Sequence, residues 1–275
     1  MKIAVCPNSV GNTALEIAQK VSERLAKLGA EVLLPAEAAD LAAEKYTVLS
    51  GDELFSNCDI AVAIGGDGTI IHTAKAAARF GKPTLGINAG RVGYLAGLEP
   101  NELESLSKLI SGDYAVSRRM LLKAAVDGNE FYCLNDAVIT RGSLSRMVDI
   151  SVNIDGSQMD TRADGVIIAT PTGSTAYSMS AGGPVLDPSV EGIVLSYICP
   201  QSPGTRSVVL NKASRLSIKA SGAKDTEIYL TVDGETAHRL GDQSRVDISC
   251  DSEHTVQLIS IKGEAFWHVL AKKIK

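Results

Sequence analysis

The 275-residue sequence lacks the features that mark membrane, zinc-binding and nucleic-acid-binding proteins. No apolar run approaches the roughly 20 residues of a membrane-spanning helix. The apolar run within the first eight residues is too short, and is interrupted too soon, to act as a signal peptide. The five cysteines are scattered, without Cys-x-x-Cys or zinc spacing. A net charge of −5 disfavours a duplex-binding surface. We therefore expect a cytoplasmic protein whose partners are small molecules, not nucleic acids or membranes.

Motifs of several enzyme classes are missing as well. The absence of Gly-x-x-x-x-Gly-Lys-Ser/Thr and of Gly-x-Gly-x-x-Gly argues against a P-loop NTPase and an ordinary Rossmann dehydrogenase. The Gly-x-Ser-x-Gly elbow of many hydrolases is also absent. No lysine lies between Lys123 and Lys212, so phosphate charge near that stretch has to be offset by Mg²⁺, arginine or helix N-termini.

The first part of the chain alternates strand and helix patterns. Apolar runs predict strands at 3–6, 32–34, 59–64 and 83–88. Apolar residues at helical spacing predict helices at 15–28, 70–80 and 102–110. Such alternation is typical of a parallel sheet with helices on its faces, and ligands of such sheets bind at the carboxyl ends of the strands.

From Arg118 onward, apolar and polar residues alternate instead. This pattern predicts strands at 148–154, 216–218, 228–232 and 246–250. The predicted fold class is therefore α/β plus all-β. A Rossmann-like parallel sheet with helices occupies residues 1–117, and an antiparallel, β-sandwich-like domain occupies 118–255. The pattern of the tail, 256–275, permits a return to the first domain without requiring it.

The most informative stretch joins a predicted strand to a predicted helix. The strand runs into Gly65-Gly66-Asp67-Gly68-Thr69, and a helical pattern begins at Ile70. Glycines before a helix leave backbone N–H groups open to a phosphate. Asp67 would repel that phosphate unless it does chemistry or holds a metal, so the segment predicts phosphoryl transfer to a hydroxyl. His72, one turn into the helix, faces either the phosphate or solvent.

Asp-Gly pairs occur five times, and two of them do not fit a simple turn. The pairs at Asp127, Asp155 and Asp233 are interpreted as hairpin turns. The pair at Asp67 precedes a helical pattern, and the pair at Asp164 opens an unusual polar segment.

That segment is rich in hydroxyl groups. From Thr170 to Ser180 it carries six Thr or Ser hydroxyls, together with Tyr177 and no charge. Such side chains can bind ribose, amide or phosphate groups, although a solvated serine-rich loop is the alternative.

Two further polar features accompany it. The pair Asn135-Asp136 interrupts two apolar stretches and needs partners if it is buried, although a bulge or turn fits equally. The glycine-rich loop 86–94 offers Arg91 either to a phosphate or to solvent.

Taken together, these residues resemble the NAD kinase family over nearly the whole chain. Gly-Gly-Asp-Gly-Thr at 65–69 is shared with diacylglycerol-kinase-like and phosphofructokinase-like proteins. The resemblance narrows to NAD kinases through Asn-Ala-Gly-Arg-Val-Gly-Tyr-Leu at 88–95, Leu-Asn-Asp at 134–136, Asp-Gly at 164–165, Thr-Pro-Thr-Gly-Ser-Thr-Ala-Tyr-Ser at 170–178 and Ala-Gly-Gly-Pro at 181–184.

The resemblance implies phosphorylation of the 2′-hydroxyl of the adenosine ribose of NAD. It implies ATP or polyphosphate as donor, Mg²⁺ or another divalent cation as cofactor, no metal site made by the protein itself, and Asp67 as the catalytic base. The implied phosphate loop is Gly65, Gly66, Gly68 and Thr69. The implied nucleotide-binding residues are Asp67, Gly68, His72, Asn135, Asp136, Arg146, Arg162, Asp164, Thr175, Ala176, Tyr177, Ser178, Ser180, Cys199 and Glu235. Arg162 and Asp164 would reach a neighbouring subunit, since similar proteins form homodimers or homotetramers.

The chain departs from the family pattern at three places. Gln201 replaces the histidine of the Cys-Pro-His-Ser sequence that is common in the family. Thr205-Arg206-Ser207 stands where Asn-Arg-Pro is common, and His72 replaces a typical arginine. Two other functions are weighed: a related Gly-Gly-Asp-Gly kinase acting on a lipid or sugar hydroxyl, and a non-catalytic NAD(P)-binding sensor. The first would not need the hydroxyl-rich segment, and the intact Asp67 argues against the second.

Overall fold

The computed structural model describes residues 1–9, 12–42, 45–90, 93–142, 146–263 and 266–273. Internal contacts divide the chain into two units. The first comprises Met1–Arg118 with His254–Lys275, and the second comprises Arg119–Glu253.

The first unit is built on a seven-stranded sheet. Numbered along the chain, its strands are β1 (Lys2–Pro7), β2 (Glu31–Pro35), β3 (Thr47–Leu49), β4 (Ile60–Gly65), β5 (Thr84–Asn88), β6 (Ala115–Arg119) and, near the end of the chain, β19 (Val256–Ser260). Their spatial order is β3-β2-β1-β4-β5-β19-β6, and the pairs from β3 through β19 are parallel. Parallel pairing brings the carboxyl ends of β4 and β5 to the same edge of the sheet.

Helices accompany this sheet. Among the described residues they are α1 (Asn12–Lys27), α2 (Gly51–Asn57), α3 (Asp67–Ala78), α4 (Leu106–Ser111) and α6 (Phe266–Lys273), with short 3-10 helices at Ala36–Leu41 and Leu103–Ser105. Helix α1 buries Ile17, Val21 and Leu25 on one face, because residues three and four apart lie on the same side of a helix. None of the helices in the described ranges combines the length and hydropathy needed to cross a membrane.

The predicted strands β1, β2, β4 and β5 are confirmed. The predicted helix 102–110 is confirmed only in part, since its first turn is a 3-10 helix and α4 covers 106–111. Several elements of the first unit were not predicted, among them β3, α2, β6 and β19. Each is short, and β3 and β6 are largely exposed, so neither carries the apolar pattern on which the prediction depends.

The second unit contains two six-stranded antiparallel sheets. Its strands are β7 (Leu122–Val126), β8 (Asn129–Cys133), β9 (Asp136–Arg141), β10 (Val148–Ile154), β11 (Ser157–Ala163), β12 (Gly165–Ala169), β13 (Gly192–Ile198), β14 (Val208–Asn211), β15 (Leu216–Ser221), β16 (Ile228–Val232), β17 (Thr236–Leu240) and β18 (Val246–Cys250). The sheet orders are β11-β10-β15-β18-β7-β8 and β14-β13-β12-β9-β16-β17. A 3-10 helix at Gly173–Thr175 and the short helix α5 (Tyr177–Ser180) follow β12.

Apolar side chains from both sheets form one buried cluster. Leu122 and Ile218 come from the first sheet, and Ile139 and Leu195 come from the second. The alternation of apolar and polar residues places one face of each strand in this layer. The predicted antiparallel, sandwich-like architecture is therefore confirmed.

The three predicted Asp-Gly hairpins are confirmed. Asp127, Asp155 and Asp233 have φ values of 49°, 49° and 50°, and the following glycines have φ values of 79°, 93° and 72°. Two successive positive φ values are what a type I′ turn requires, and glycine adopts them without a steric penalty. The turns join β7 to β8, β10 to β11 and β16 to β17.

Candidate functional site

The strand β4 passes into α3 earlier than the sequence predicted. Gly66 is the N-cap residue and Asp67 is the first residue of the helix, so the prediction of a loop through Thr69 and a helix start at Ile70 was wrong. An aspartate in the first helical turn is stabilised by the helix dipole, which offsets the low helix propensity of Gly68. The first turn of α3 thus supplies N–H groups that have no acceptor within the helix.

Close packing explains why residue 65 is a glycine. A Cβ placed on Gly65 would lie 2.4 Å from Oγ1 of Thr69. The end of β4 and the first turn of α3 therefore approach each other too closely for any side chain at this position.

The carboxylate of Asp67 is held by a second loop. The N–H of Tyr94 donates to Oδ2 at 2.8 Å, and the N–H of Leu95 donates to Oδ1 at 3.1 Å. A Cβ on Gly93 would lie 2.2 Å from Oδ1. The side chain is half-buried, so it keeps access to solvent while its orientation is set by backbone donors.

The loop that holds Asp67 is itself braced. Asn88, buried at the end of β5, accepts a hydrogen bond from the N–H of Gly90 at 3.1 Å and donates to Glu99 at 3.0 Å. Arg91, the candidate phosphate ligand of this loop, lies outside the described residues.

A cavity of about 290 Å³ in the second unit gathers several predicted residues. Asn135, Asp136, Ala176 and Tyr177 line it. The rest of its lining is Val138, Thr140, Thr231, Asp233 and Gly234. Tyr177 is 47% exposed, so its ring is available to pack against a planar ligand.

Asp233, predicted only as a turn residue, lines the cavity and binds the backbone of residues 134–136. Its Oδ1 accepts the N–H groups of Asn135 at 2.7 Å and Asp136 at 3.1 Å, and its Oδ2 accepts the N–H of Leu134 at 3.0 Å. The N–H of Asp233 donates in turn to the carbonyl of Asp136 at 2.9 Å. Charge-assisted bonds of this kind are stronger than neutral ones, so the turn fixes the polar pair Asn135-Asp136.

Asp136 is buried, with 4% of its surface exposed. Burial, followed by the charge of Asp233, raises the pKa of the Asp136 carboxyl from 3.8 to about 7. Both effects disfavour the ionised form. The second unit therefore contains a carboxyl group that titrates near neutral pH inside a candidate ligand cavity.

Two family models match this chain. One described as "ATP-NAD kinase N-terminal domain" matches residues 3–114, and one described as "ATP-NAD kinase C-terminal domain" matches residues 134–261. The chain belongs to the ATP-NAD kinase family.

Curated relatives agree over nearly the full length. The NAD kinase of Caldanaerobacter subterraneus is 38% identical over 281 residues, covering 99% of this chain and 98% of that protein. The NAD kinase of Citrifermentans bemidjiense is 34% identical over 283 residues, covering 100% of this chain and 98% of that protein. The resemblance predicted from the sequence is thereby confirmed.

Solved structures of the family share the fold. Yeast NADH kinase, complexed with NADH, matches with a TM-score of 0.88 at 25% identity, covering 100% of this chain and 87% of that chain. The NAD kinase of Archaeoglobus fulgidus, in complex with ATP, matches with a TM-score of 0.79 at 26% identity, covering 99% of this chain and 98% of that chain.

In this family member, several hydroxyls of the 170–180 segment bond to the protein itself. Thr175 Oγ1 donates to the carbonyl of Thr172 at 3.2 Å, and the hydroxyl of Ser178 lies 3.2 Å from that of Ser196. Both side chains are buried. These two hydroxyls brace the segment, and the predicted contacts of Thr175 and Ser178 with the dinucleotide stay predictions.

Thr170 and Gly173 tie the same segment to residues 134–135. Thr170 Oγ1 donates to the carbonyl of Leu134 at 2.5 Å, and the N–H of Thr170 donates to the carbonyl of Asn135 at 2.9 Å. A Cβ on Gly173 would lie 2.0 Å from that Asn135 carbonyl oxygen. Leu134 and Asn135 are thus held through their N–H groups by Asp233 and through their carbonyls by Thr170.

The remaining predicted residues do not line this cavity. His72, Arg146, Ser180, Cys199 and Glu235 are exposed. Arg162 is also exposed and pairs with Asp149 at 3.0 Å, while Asp164 pairs with Arg141 at 2.7 Å. Cys199 adopts a positive φ of 46°. Their predicted contacts with nucleotide stay predictions, as does the role of the first turn of α3 in binding phosphate.

Sequence reasoning missed the contacts of three residues. Asp233 and Thr170 hold the Asn135-Asp136 pair, and Gly93 makes room for the Asp67 carboxylate. Asp233 carries no signal in a single sequence that distinguishes it from the turn residues Asp127 and Asp155. The glycine at 93 was visible as part of a glycine-rich loop, but its partner was not.

Proposed function

We propose that this member of the ATP-NAD kinase family is an NAD kinase. It transfers the γ-phosphate of ATP, or a phosphate of polyphosphate, to the 2′-hydroxyl of the adenosine ribose of NAD and so makes NADP. Support comes from relatives named NAD kinase that match over nearly their whole length and from related structures complexed with ATP and with NADH.

The observation that carries the proposal is the setting of Asp67. Its carboxylate projects from the first turn of α3, where free N–H groups suit a phosphate. Backbone donors from Tyr94 and Leu95 occupy one position on each oxygen. A carboxylate has about four acceptor positions, so Asp67 is oriented and retains the capacity to take up a proton.

Asp67 acts as the general base in this proposal. The 2′-hydroxyl loses its proton to a carboxylate oxygen of Asp67 as the 2′-oxygen attacks the γ-phosphorus in line with the leaving oxygen. A positioned base contributes roughly 10²–10⁴-fold to the rate, or about 3–5 kcal/mol. The Tyr94 and Leu95 donors keep the carboxylate from rotating away from the hydroxyl.

The proposed reaction would use a divalent cation beside the donor phosphates. Within the described ranges, no group of three or more His, Cys, Asp or Glu side chains could hold a metal ion. Asp67 would hold such a cation through a carboxylate oxygen, a hard donor of the kind that Mg²⁺ prefers. Bound Mg²⁺ supplies neutralisation of the charge on the phosphate oxygens.

The cavity of the second unit is proposed to receive the dinucleotide. Asn135 and Asp136 supply hydrogen bonds to ribose or adenine, and Tyr177 packs against the ligand. The polar groups are few and fixed, as is usual in ligand sites.

Assembly and location extend the proposal. We infer a cytoplasmic homodimer or homotetramer in which Arg162 and Asp164 reach a neighbouring subunit's nucleotide. The exposed position of Arg162 on β11 is compatible with such a contact. Analytical ultracentrifugation gives the oligomeric state, and Arg162→Ala should then weaken nucleotide binding without changing the mass of the assembly.

One assay tests the activity. The purified chain is incubated with ATP, Mg²⁺ and NAD, and the product is measured with an NADP-specific dehydrogenase, which reads only the 2′-phosphorylated dinucleotide. Parallel reactions replace NAD by NADH and ATP by polyphosphate, so that acceptor and donor are identified together. We expect NADP to accumulate. A folded chain that binds NAD and makes no NADP with any donor would instead be a dinucleotide sensor.

A further inference from the structure

We propose that Asp233 is a positioning residue of the dinucleotide cavity, which fixes the backbone of residues 134–136 and makes Asp136 bind the ligand as an uncharged carboxylic acid. This inference rests on the proposed function in that the ligand is taken to be NAD. It assigns a charge state to Asp136 and a role to a residue that otherwise looks like a plain hairpin turn.

The backbone of residues 134–136 surrounds the Asp233 carboxylate. Three successive N–H groups, those of Leu134, Asn135 and Asp136, converge on the two oxygens of Asp233 within 2.7–3.1 Å. Three N–H donors favour a charged acceptor. Of the two carboxyl groups, Asp136 and Asp233, the negative charge therefore belongs on Asp233. The Asp136 side chain lies on the same backbone segment and lines the same cavity.

The charges around Asp136 favour its protonated form. The carboxylate of Asp233 and the phenol of Tyr177 are the other titratable groups on the cavity lining, and within the described residues that lining includes no lysine, arginine or histidine. Glu235 follows on the same turn and is exposed. Because Asp136 is buried beside the negatively charged Asp233 and the described lining includes no cation, Asp136 takes up a proton, and its pKa is raised to about 7.

The chemical consequence is a change in what Asp136 offers. An ionised carboxylate only accepts hydrogen bonds, whereas a carboxylic acid presents one O–H donor beside one acceptor. Such a pair matches a neutral group that has an acceptor next to a donor, as in a ribose diol, an adenine edge or a carboxamide. An uncharged side chain also avoids repelling the pyrophosphate of NAD.

The test is NAD binding by calorimetry between pH 5.5 and pH 9, without donor nucleotide. We expect wild-type affinity to fall by about tenfold between pH 6 and pH 8, since only the protonated form binds. Asp136→Asn keeps a donor beside an acceptor, so it should bind NAD at pH 6 within about threefold of wild type and lose the pH dependence. Asp136→Ala should bind weakly at every pH.

Asp233→Asn tests the positioning role. Its amide places N–H donors where a backbone N–H already points, and it removes the charge beside Asp136. We expect NAD affinity at pH 6 to fall by about tenfold and the midpoint of the pH dependence to move down by about one unit. Asp155→Asn is the matched control: it begins the same kind of Asp-Gly turn, with φ 49°, and should leave the binding curve unchanged.

Three results would overturn the proposal. The first is wild-type NAD affinity that does not change with pH. The second is an Asp136→Asn variant that loses affinity at pH 6 as fully as Asp136→Ala, because that shows a carboxylate to be the binding form. The third is an Asp233→Asn variant that binds NAD as wild type does across the pH range. The proposed kinase activity is judged separately by NADP formation, so a wild-type chain that makes NADP but binds NAD independently of pH refutes only this inference.

Discussion

The same dipeptide serves the two units of the molecule in opposite ways. In the first unit Asp67-Gly68 begins a helix, and in the second unit Asp233-Gly234 turns a hairpin. Yet both aspartates accept hydrogen bonds from backbone N–H groups far along the chain, 27 and 28 residues away for Asp67 and 97 to 99 residues away for Asp233. The local conformation of an Asp-Gly pair therefore does not reveal what its carboxylate does.

The carboxylates of Asp67 and Asp233 differ in how many of their acceptor positions are occupied by backbone N–H groups. Asp67 receives one N–H on each oxygen and is half-buried, so it retains acceptor positions for a substrate proton. Asp233 receives three N–H groups and holds a neighbouring segment. We infer that the first carboxylate reacts with the ligand, whereas the second positions the residues that bind it.

Asp67→Asn should have the largest effect. It tests whether the Asp67 carboxylate is the group that reacts with the substrate. Asparagine keeps the size of the side chain but cannot accept the proton of the 2′-hydroxyl, so we expect turnover to fall by roughly 10²–10⁴-fold. The affinity for NAD, measured by calorimetry, should stay within about threefold of wild type because no binding group of the cavity is altered.

Asp52→Asn is the control for that experiment. Asp52 also lies in the first turn of a helix of the same unit, where it pairs with Arg79 on the exposed surface. Its loss should leave turnover unchanged, since exposed ion pairs contribute little. Near-native turnover of Asp67→Asn would show that another group takes the proton, and the contrast with Asp233 would then have no catalytic meaning.

The sequence was sufficient for the fold class because the fold class depends on local patterns. Alternating apolar residues predicted β10, β16 and β18, and Asp-Gly pairs predicted the turns that follow β10 and β16. The start of α3 was predicted three residues late, because glycines were taken to end the loop rather than to stand in a first helical turn. The short, exposed β3 carries no apolar pattern and was not predicted.

The candidate site was predictable in its residue types but not in its contacts. Asn135, Asp136, Ala176 and Tyr177 were named from their motifs and share one cavity. Nothing in one sequence shows that Asp233 would hold the first two, since hydrogen bonds across about a hundred residues depend on strand pairing. The hydroxyls of Thr175 and Ser178 also bond to buried groups of the protein, which the sequence did not indicate, and their contacts with the ligand stay a prediction.

Asp136→Asn should change stability with pH and tests the charge difference between the two aspartates of the cavity. The pKa of Asp136 in the folded protein is raised to about 7. The free energy of unfolding therefore falls as the pH rises from about 4 to about 7, and at higher pH the whole loss is present. The variant should therefore raise the free energy of unfolding by about 2–4 kcal/mol at pH 8 and by little near pH 4. Urea unfolding at the two pH values measures this, and an equal effect at both would contradict the assigned pKa.

Gly93→Ala tests whether turnover requires the Asp67 carboxylate to keep its position against the backbone of Tyr94 and Leu95. The added methyl group would lie 2.2 Å from Oδ1 of Asp67, so the carboxylate has to move. A misplacement of this size costs about 10- to 100-fold in turnover, while NAD affinity should be unchanged. Gly90→Ala is the matched control in the same loop, because a Cβ there meets nothing within 4 Å. Equal turnover of the two variants would show that Asp67 tolerates rearrangement.

Thr170→Val has the smallest expected effect and tests whether the Asn135-Asp136 segment is held from both sides. The hydroxyl of Thr170 donates to the carbonyl of Leu134 and accepts the N–H of Gly173. Valine leaves both groups buried without a partner, which should lower the free energy of unfolding by about 1–2 kcal/mol and weaken NAD binding several-fold. Thr255→Val, at an exposed position, should change stability by less than about 0.5 kcal/mol. If Thr170→Val costs stability but leaves NAD affinity intact, then Asp233 alone positions the segment, and the carbonyl contacts serve only the fold.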